Sequence, residues 1–369
     1  MPDPPTASLQ PLDITDLPSP APATTVDDDA PILLARRLAP YRGPDPARSI
    51  LELLITALPL AALWVAAYGA VALGQVWVGL ILTVPAAGFL VRLFMIQHDC
   101  GHGSLFRSRA ANDWVGRVIG VLTLTPYDCW RRSHAIHHAT AGNLDHRGIG
   151  DITTLTVAEY RALPPVRRAL YRLFRNPVVL FGLGPAWLFV VQQRLPVGLM
   201  RAGAGPWVSA MATNAAIAAV ATLIIALLGI GPFLLVHLPV VLLAASIGVW
   251  LFYVQHQFHD TRWARDGAWT FHGAALHGSS FYDLPAVLRW FTANIGVHHV
   301  HHLASRIPFF RLGRVLRDHP ELRSIGRLGL RQSLGCLRLA LWDEAGRRLV
   351  SFREARQLGI DPATSEATA

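Results

Sequence analysis

The chain has 369 residues, of which 52% are hydrophobic and only 15% charged, and its mean hydropathy is +0.35. That balance suits a membrane protein better than a soluble enzyme. The net charge of +9 is carried by arginine alone, with no lysine, and beside apolar stretches it matches anionic lipid headgroups rather than nucleic acid.

Residues 1–30 are rich in Pro, Thr, Ala and Asp and end in Asp27-Asp28-Asp29, the composition of a disordered tail. No cleavable signal peptide is expected, because the N-terminus is not basic and then apolar. Arg36, Arg37, Arg42 and Arg48 follow as a basic approach to the membrane, so that 1–45 reads as an N-terminal tail. Four stretches, about 50–72, 76–97, 208–228 and 233–254, are long enough to cross a hydrocarbon layer of about 30 Å. Arg92 lies near the end of the second, where it is expected to snorkel to the interface. The links Leu73-Gly74-Gln75 and Gly229-Ile230-Gly231-Pro232 carry no charge, whereas the remaining connections are Arg-rich. The positive-inside rule then puts both links outside and both termini in the cytoplasm.

Two further apolar runs, 114–126 and 178–191, are broken by Gly and Pro and are expected to be interfacial or re-entrant. A full crossing by the second would separate the histidine-rich segments on either side of it. Residues 303–369 read as a cytoplasmic cap with a short helix from Arg314 to Pro320 and a β-hairpin over 337–352, turning at Asp343-Glu344-Ala345-Gly346. Cys100, Cys129 and Cys336 form no CxxC pair, so no disulfide framework is indicated.

The sixteen histidines are clustered. His98 and His102 are i, i+4 where the second span ends, and His256 ends the fourth span. His134, His137 and His138 share i, i+3, i+4 spacing with His298, His301 and His302. On a helix each set lies on one face, with His299 pointing elsewhere. Imidazoles crowded on one turn have no packing use, whereas neutral ligating imidazoles can share a cation. Nine such histidines exceed the four ligands of a closed structural zinc and suit two metal ions with open positions. Imidazole alone does not distinguish Zn, Cu, Fe and Ni. A metal transporter or sensor would instead line its spans with ionisable residues. No glycine fingerprint for a dinucleotide cofactor is present.

The boxes HDCGH, HAIHH and HHVHH resemble the HxxxH, HxxHH and HxxHH pattern of the integral-membrane fatty acid desaturases. The flanking sequence, including Phe252-Tyr-Val-Gln-His-Gln-Phe, Asn294-Ile-Gly and Leu341-Trp-Asp-Glu, is similar to the bacterial acyl-lipid (delta-5/delta-12-type) branch. The resemblance, over about 45–355, implies an all-α membrane protein with four transmembrane helices in two hairpins plus a cytoplasmic helical cap carrying a histidine-rich di-metal site. The membrane desaturase domain would span 46–302. The metal ligands would be His98, His102, His134, His137, His138, His256, His298, His301 and His302. Two Fe ions would use O2 to place a cis double bond in an acyl chain on a membrane phospholipid or other carrier, with electrons from a ferredoxin-like donor. Hydroxylation or ketolation on the same scaffold is the nearest alternative. The location implied is the bacterial inner membrane, with the site on the cytoplasmic face. An Asn that supplies an extra ligand in acyl-CoA relatives is replaced by Phe252. Asn294 is expected to pack or cap first, and His259 to lie outside the ligand set as a supporting or surface residue. Asp151 is a candidate to hold the free N–H of a ligand imidazole.

Overall fold

The computed structural model describes residues 29–148 and 150–358; the expected N-terminal tail over 1–28 lies outside them. Four long helices, Pro46–Ala72, Val76–His102, Ala204–Leu228 and Ile230–His256, are apolar enough to cross a membrane. They arise where the sequence places them. Asp45 caps the first, its side chain accepting from Arg48 N at 3.1 Å with Pro46 at the first helical position, where proline's missing N–H costs nothing. The second stops at Gly103, whose φ of +66° supplies the left-handed C-cap that a side chain would disfavour.

The second and fourth helices have 27 residues each, or about 40 Å of length against a hydrocarbon layer of about 30 Å. A crossing therefore leaves about 10 Å of each outside the hydrocarbon layer. The second packs against the first and the fourth, and 56% of its most apolar window is buried, against 6% for the third. Arg92 does not snorkel. It is 2% exposed and paired with Glu52, itself 1% exposed. Arg92 also donates to Thr56 Oγ1 at 3.2 Å and to the carbonyl of Trp290, whose ring lies 4.0 Å beneath the guanidinium. A cation with a carboxylate, a hydroxyl and a carbonyl around it has no reason to reach for water. The carboxylate is shared, since Arg48 Nη2 lies 2.5 Å from Glu52 Oε1.

Residues 29–45 are docked on the cap. Helix Asp29–Arg37 leads into Leu38, which is fully buried. Tyr41 OH then donates to Asp318 Oδ2 at 2.7 Å, and Arg311 Nη1 to the carbonyl of Gly43 at 2.9 Å. The expected hairpin forms as strands Leu341–Asp343 and Arg348–Val350. Strand Leu155–Thr156 adds to it in parallel, and Phe281–Asp283 pairs in parallel with Arg327–Gly329. The short cap helix runs Phe309–Asp318, starting five residues before the expected point because Pro308 opens it.

The two shorter apolar runs are also helical. Arg109–Leu122 leaves Trp114 and Val118 exposed. The run Val179–Arg194 is bent by 63° from helix Pro165–Phe174.

Candidate metal centre

Nine imidazoles converge at the projecting ends of the second and fourth spans. His98 and His102 come from the second, His256 from the fourth. Helix Tyr127–Thr140 brings His134, His137 and His138, and the short helix His298–Leu303 brings His298, His301 and His302. They fall into two groups, His98, His102, His134, His138 and His301 in one and His137, His256, His298 and His302 in the other. Within each group one ligand-type atom per residue lies within 4.8 Å of all the others, a spacing that could hold a metal ion.

The members of each HxxHH triplet do not fall in one group. At about 100° per residue, i+4 falls about 40° to one side of i and i+3 about 60° to the other. His134 and His138 therefore join the first group and His137 the second, while His298 and His302 join the second and His301 the first. Each triplet straddles both groups.

The nitrogens form chains. In the first group His134 Nε2 is 3.0 Å from His102 Nε2 and 3.1 Å from His138 Nε2, which is 3.1 Å from His301 Nε2. In the second, His256 Nε2 is 3.1 Å from His137 Nε2 and 3.0 Å from His298 Nε2, which is 3.1 Å from His302 Nε2. A ring nitrogen has one in-plane proton or lone pair. It cannot make two hydrogen bonds, yet His134, His138, His256 and His298 each have two such neighbours. Lone pairs converging on a shared cation account for the packing.

The far sides of three rings are held, whereas His298 Nδ1 is buried without a partner among the described residues. His137 Nδ1 lies 2.6 Å from Asp151 Oδ1, and His256 Nδ1 3.2 Å from the carbonyl of Gly278. His98 Nδ1 is 3.4 Å from Asp99 Oδ1, while Asp99 Oδ2 accepts from Phe309 N at 2.8 Å and ties the second span to the cap. Trp130 stacks on His134 with centroids 4.7 Å apart. The glycine inside the first box makes room for it, since a Cβ at Gly101 would lie 2.8 Å from that indole. Burial first, then repulsion from neighbouring imidazoles, lowers the pKa of His134, His138, His298, His301 and His302 well below the usual value. They are held neutral, as ligation requires.

Other histidines stand apart. His299 is buried but turns its Nε2 to the carbonyl of Leu322 at 3.0 Å, and burial lowers its pKa to about 4. His259 is exposed. His237 stacks between Trp64 and Phe233 near the far end of the fourth span. His146 approaches Asp266 at the surface, the buried His319 approaches Glu321, and His277 and His272 belong to the 271–277 helix. Phe252 sets its ring 5.0 Å from that of His137 and 5.3 Å from that of His256, so this corner is apolar. Asn294 donates to the carbonyl of Phe309 at 3.1 Å and packs the cap. A small cleft beside the second group is lined by Asp151, Phe252, His256, Gln257 and Trp263.

One supporting residue is not visible in the sequence. Arg175, 5% exposed, donates to Gln257 Oε1 at 3.1 Å, Leu339 O at 2.6 Å and Thr154 Oγ1 at 3.2 Å. It locks the residue after His256 to the cap and to the segment that follows Asp151. Its only sequence signal is an arginine just ahead of a long apolar run.

Long apolar helices with two clusters of buried or half-buried imidazoles at their ends define a multi-pass membrane protein with a metal-binding cluster. The family model described as Fatty acid desaturase matches residues 75–328. A protein named fatty acid desaturase from Bacillus subtilis (strain 168) is 43% identical over 327 residues, which is 89% of this chain and 92% of the relative. An sn-1 oleoyl-lipid 12-desaturase from Synechocystis sp. is 26% identical over 64% of each chain. An sn-1 acyl-lipid omega-3 desaturase (ferredoxin) from Nostoc sp. is 28% identical over 60% of this chain and 61% of its own. The chain belongs to the fatty acid desaturase family, and it is an oxidoreductase of that family.

Proposed function

We propose that the protein is a non-haem di-iron desaturase that places a cis double bond in a lipid-linked acyl chain. His98, His102, His134, His138 and His301 would hold one iron, and His137, His256, His298 and His302 the other. The observation that carries this is the nitrogen spacing. At a metal–nitrogen distance of about 2.1 Å, ligands at right angles lie about 3.0 Å apart and tetrahedral ones about 3.4 Å. Contacts of 3.0 and 3.1 Å suit imidazoles that share a cation, nine ligands exceed the four of a closed structural zinc site, and iron accepts imidazole.

Bound irons supply the oxidising power for cleaving unactivated C–H bonds with dioxygen. The two hydrogens removed, with two external electrons and two protons, account for two waters. The chain positions and excludes. Asp151 and Gly278 fix ring tautomers of His137 and His256, the buried helix ends keep water away, and the apolar wall at Phe252 faces an acyl chain without competing for metal. The electron source is a separate ferredoxin-like carrier, as the name of the Nostoc relative indicates for that protein. The site lies on the cytoplasmic face of the bacterial inner membrane, with both termini. Supporting this are the uncharged links between paired spans and the arginines everywhere else. Residues 46–302 form the desaturase domain, with 303–369 as its cap.

Expression in a host of known lipid composition, with double bonds mapped by mass spectrometry, tests the reading. New cis-unsaturated acyl chains are expected from the native chain and none from His301→Ala. A hydroxylated or keto product would replace desaturation with the neighbouring chemistry.

A further inference from the structure

Between Glu159 and Asp260 the chain contains no acidic residue, while Arg161, Arg167, Arg168, Arg172, Arg175, Arg194 and Arg201 fall in that interval. Helix Pro165–Phe174 lies at its start. Val166, Leu170 and Leu173 are 71%, 58% and 57% exposed. At about 100° per residue these three lie within about 60° of arc, a single stripe turned away from the protein. The opposite side is anchored, Tyr171 OH donating to the carbonyl of Ala340 at 2.7 Å. Arg167 and Arg168 make no ion pair among the described residues.

After a break at 175–178 the chain becomes apolar and exposes Val178, Leu183 and Trp187. This run cannot be a complete crossing. His134, His137 and His138 precede it, His256 and the third box follow it, and all share two compact groups. The crossings between them must be even in number, and the third and fourth spans supply two. The run therefore enters and leaves on the side that carries the histidines.

We infer that Pro165–Phe174 is an in-plane foot that binds anionic phospholipid. Its Val166/Leu170/Leu173 stripe sits at the acyl boundary, Arg167, exposed on the flank of that stripe, meets a headgroup phosphate, and the following run dips into the same leaflet. An acidic protein docked on the arginines would leave the stripe and its apolar continuation in water; a bilayer covers both. The inference goes beyond the desaturase reading and does not depend on which metal is bound.

The test uses the full chain in nanodiscs with a bimane label at Leu170→Cys. Cys100, Cys129 and Cys336 are buried and stay unlabelled. Discs of phosphatidylcholine and phosphatidylglycerol carry doxyl groups on one lipid or the other, and iodide reports water access. Doxyl quenching should exceed iodide quenching, and doxyl-phosphatidylglycerol should quench more than doxyl-phosphatidylcholine. Arg167→Gln should lower that preference about fivefold, equivalent to about 1 kcal/mol for one arginine, without changing the melting temperature. Equal quenching by the two lipids overturns the inference. So does free access to iodide, or protection from iodide that appears only when an acidic electron carrier is added.

Discussion

The second and third spans have nearly equal mean hydropathy, 2.0 and 2.2, yet 56% of one window is buried and 6% of the other. The third is exposed along most of its length. The second is the axis of the protein, touching the first and fourth spans and ending in the metal-binding cluster. Hydropathy thus reports the solvent a helix tolerates, not the work it does. The difference lies in a few polar groups, Arg92, Gln97, His98 and Asp99, all buried in the second span. The third has no charged residue in Ala204–Leu228.

Removing a ligand should break the comparison most completely. His98→Ala, His137→Ala or His301→Ala should abolish desaturation while the protein remains membrane-inserted, as read by product analysis of membrane fractions. Full activity in any one would remove that histidine from the site. Next is the buried ion pair. Glu52→Leu leaves Arg92 buried without its carboxylate and should cost about 3–5 kcal/mol, a loss that the double replacement should largely recover; Arg92→Leu should cost less, because Arg48 Nη2 still lies 2.5 Å from Glu52 Oε1. Denaturation in detergent across the double-mutant cycle reads the coupling, and additive losses would show that the pair does not act as a unit.

Smaller effects should come from the groups around the ligands. Asp151→Asn should weaken metal binding about 10–100-fold, measured by competition with a chelator. His299 offers a pH test that involves no ligand. Its pKa is about 4 in the fold and about 6.5 when unfolded. The unfolded chain therefore binds the proton first, and stability falls as pH drops from about 6.5 to 4, by about 1.4 kcal/mol per pH unit. In metal-depleted protein, His299→Gln should melt with a shallower pH slope; an unchanged slope would place that proton elsewhere. Least of all, Leu223→Ala on the exposed face of the third span should shift stability by no more than about 0.5 kcal/mol, checked by the same denaturation assay.

Much of this was legible in the residues. The four spans follow from apolar length, and the hairpin at 341–350 from its turn. Helical spacing exposed the boxes but assigned each triplet to one face. The crossed division of His137 and His301 depends on how two helices meet, which spacing within one helix does not encode. The Arg92–Glu52 pair joins residues forty positions apart on different spans, so a rule about single helices predicts snorkelling and misses the partner. The short parallel strands are equally non-local, Leu155 pairing with Leu341. Residues 36–48 look like a free basic approach because their partners, Asp318 and Arg311, come some 270 residues later.

The central claim is that two groups of imidazoles each hold an iron, and metal analysis of purified, active protein tests it most directly. The account predicts two irons per chain, one for each group, falling together with activity on chelation. Activity without iron, or a single tightly held zinc, would contradict it.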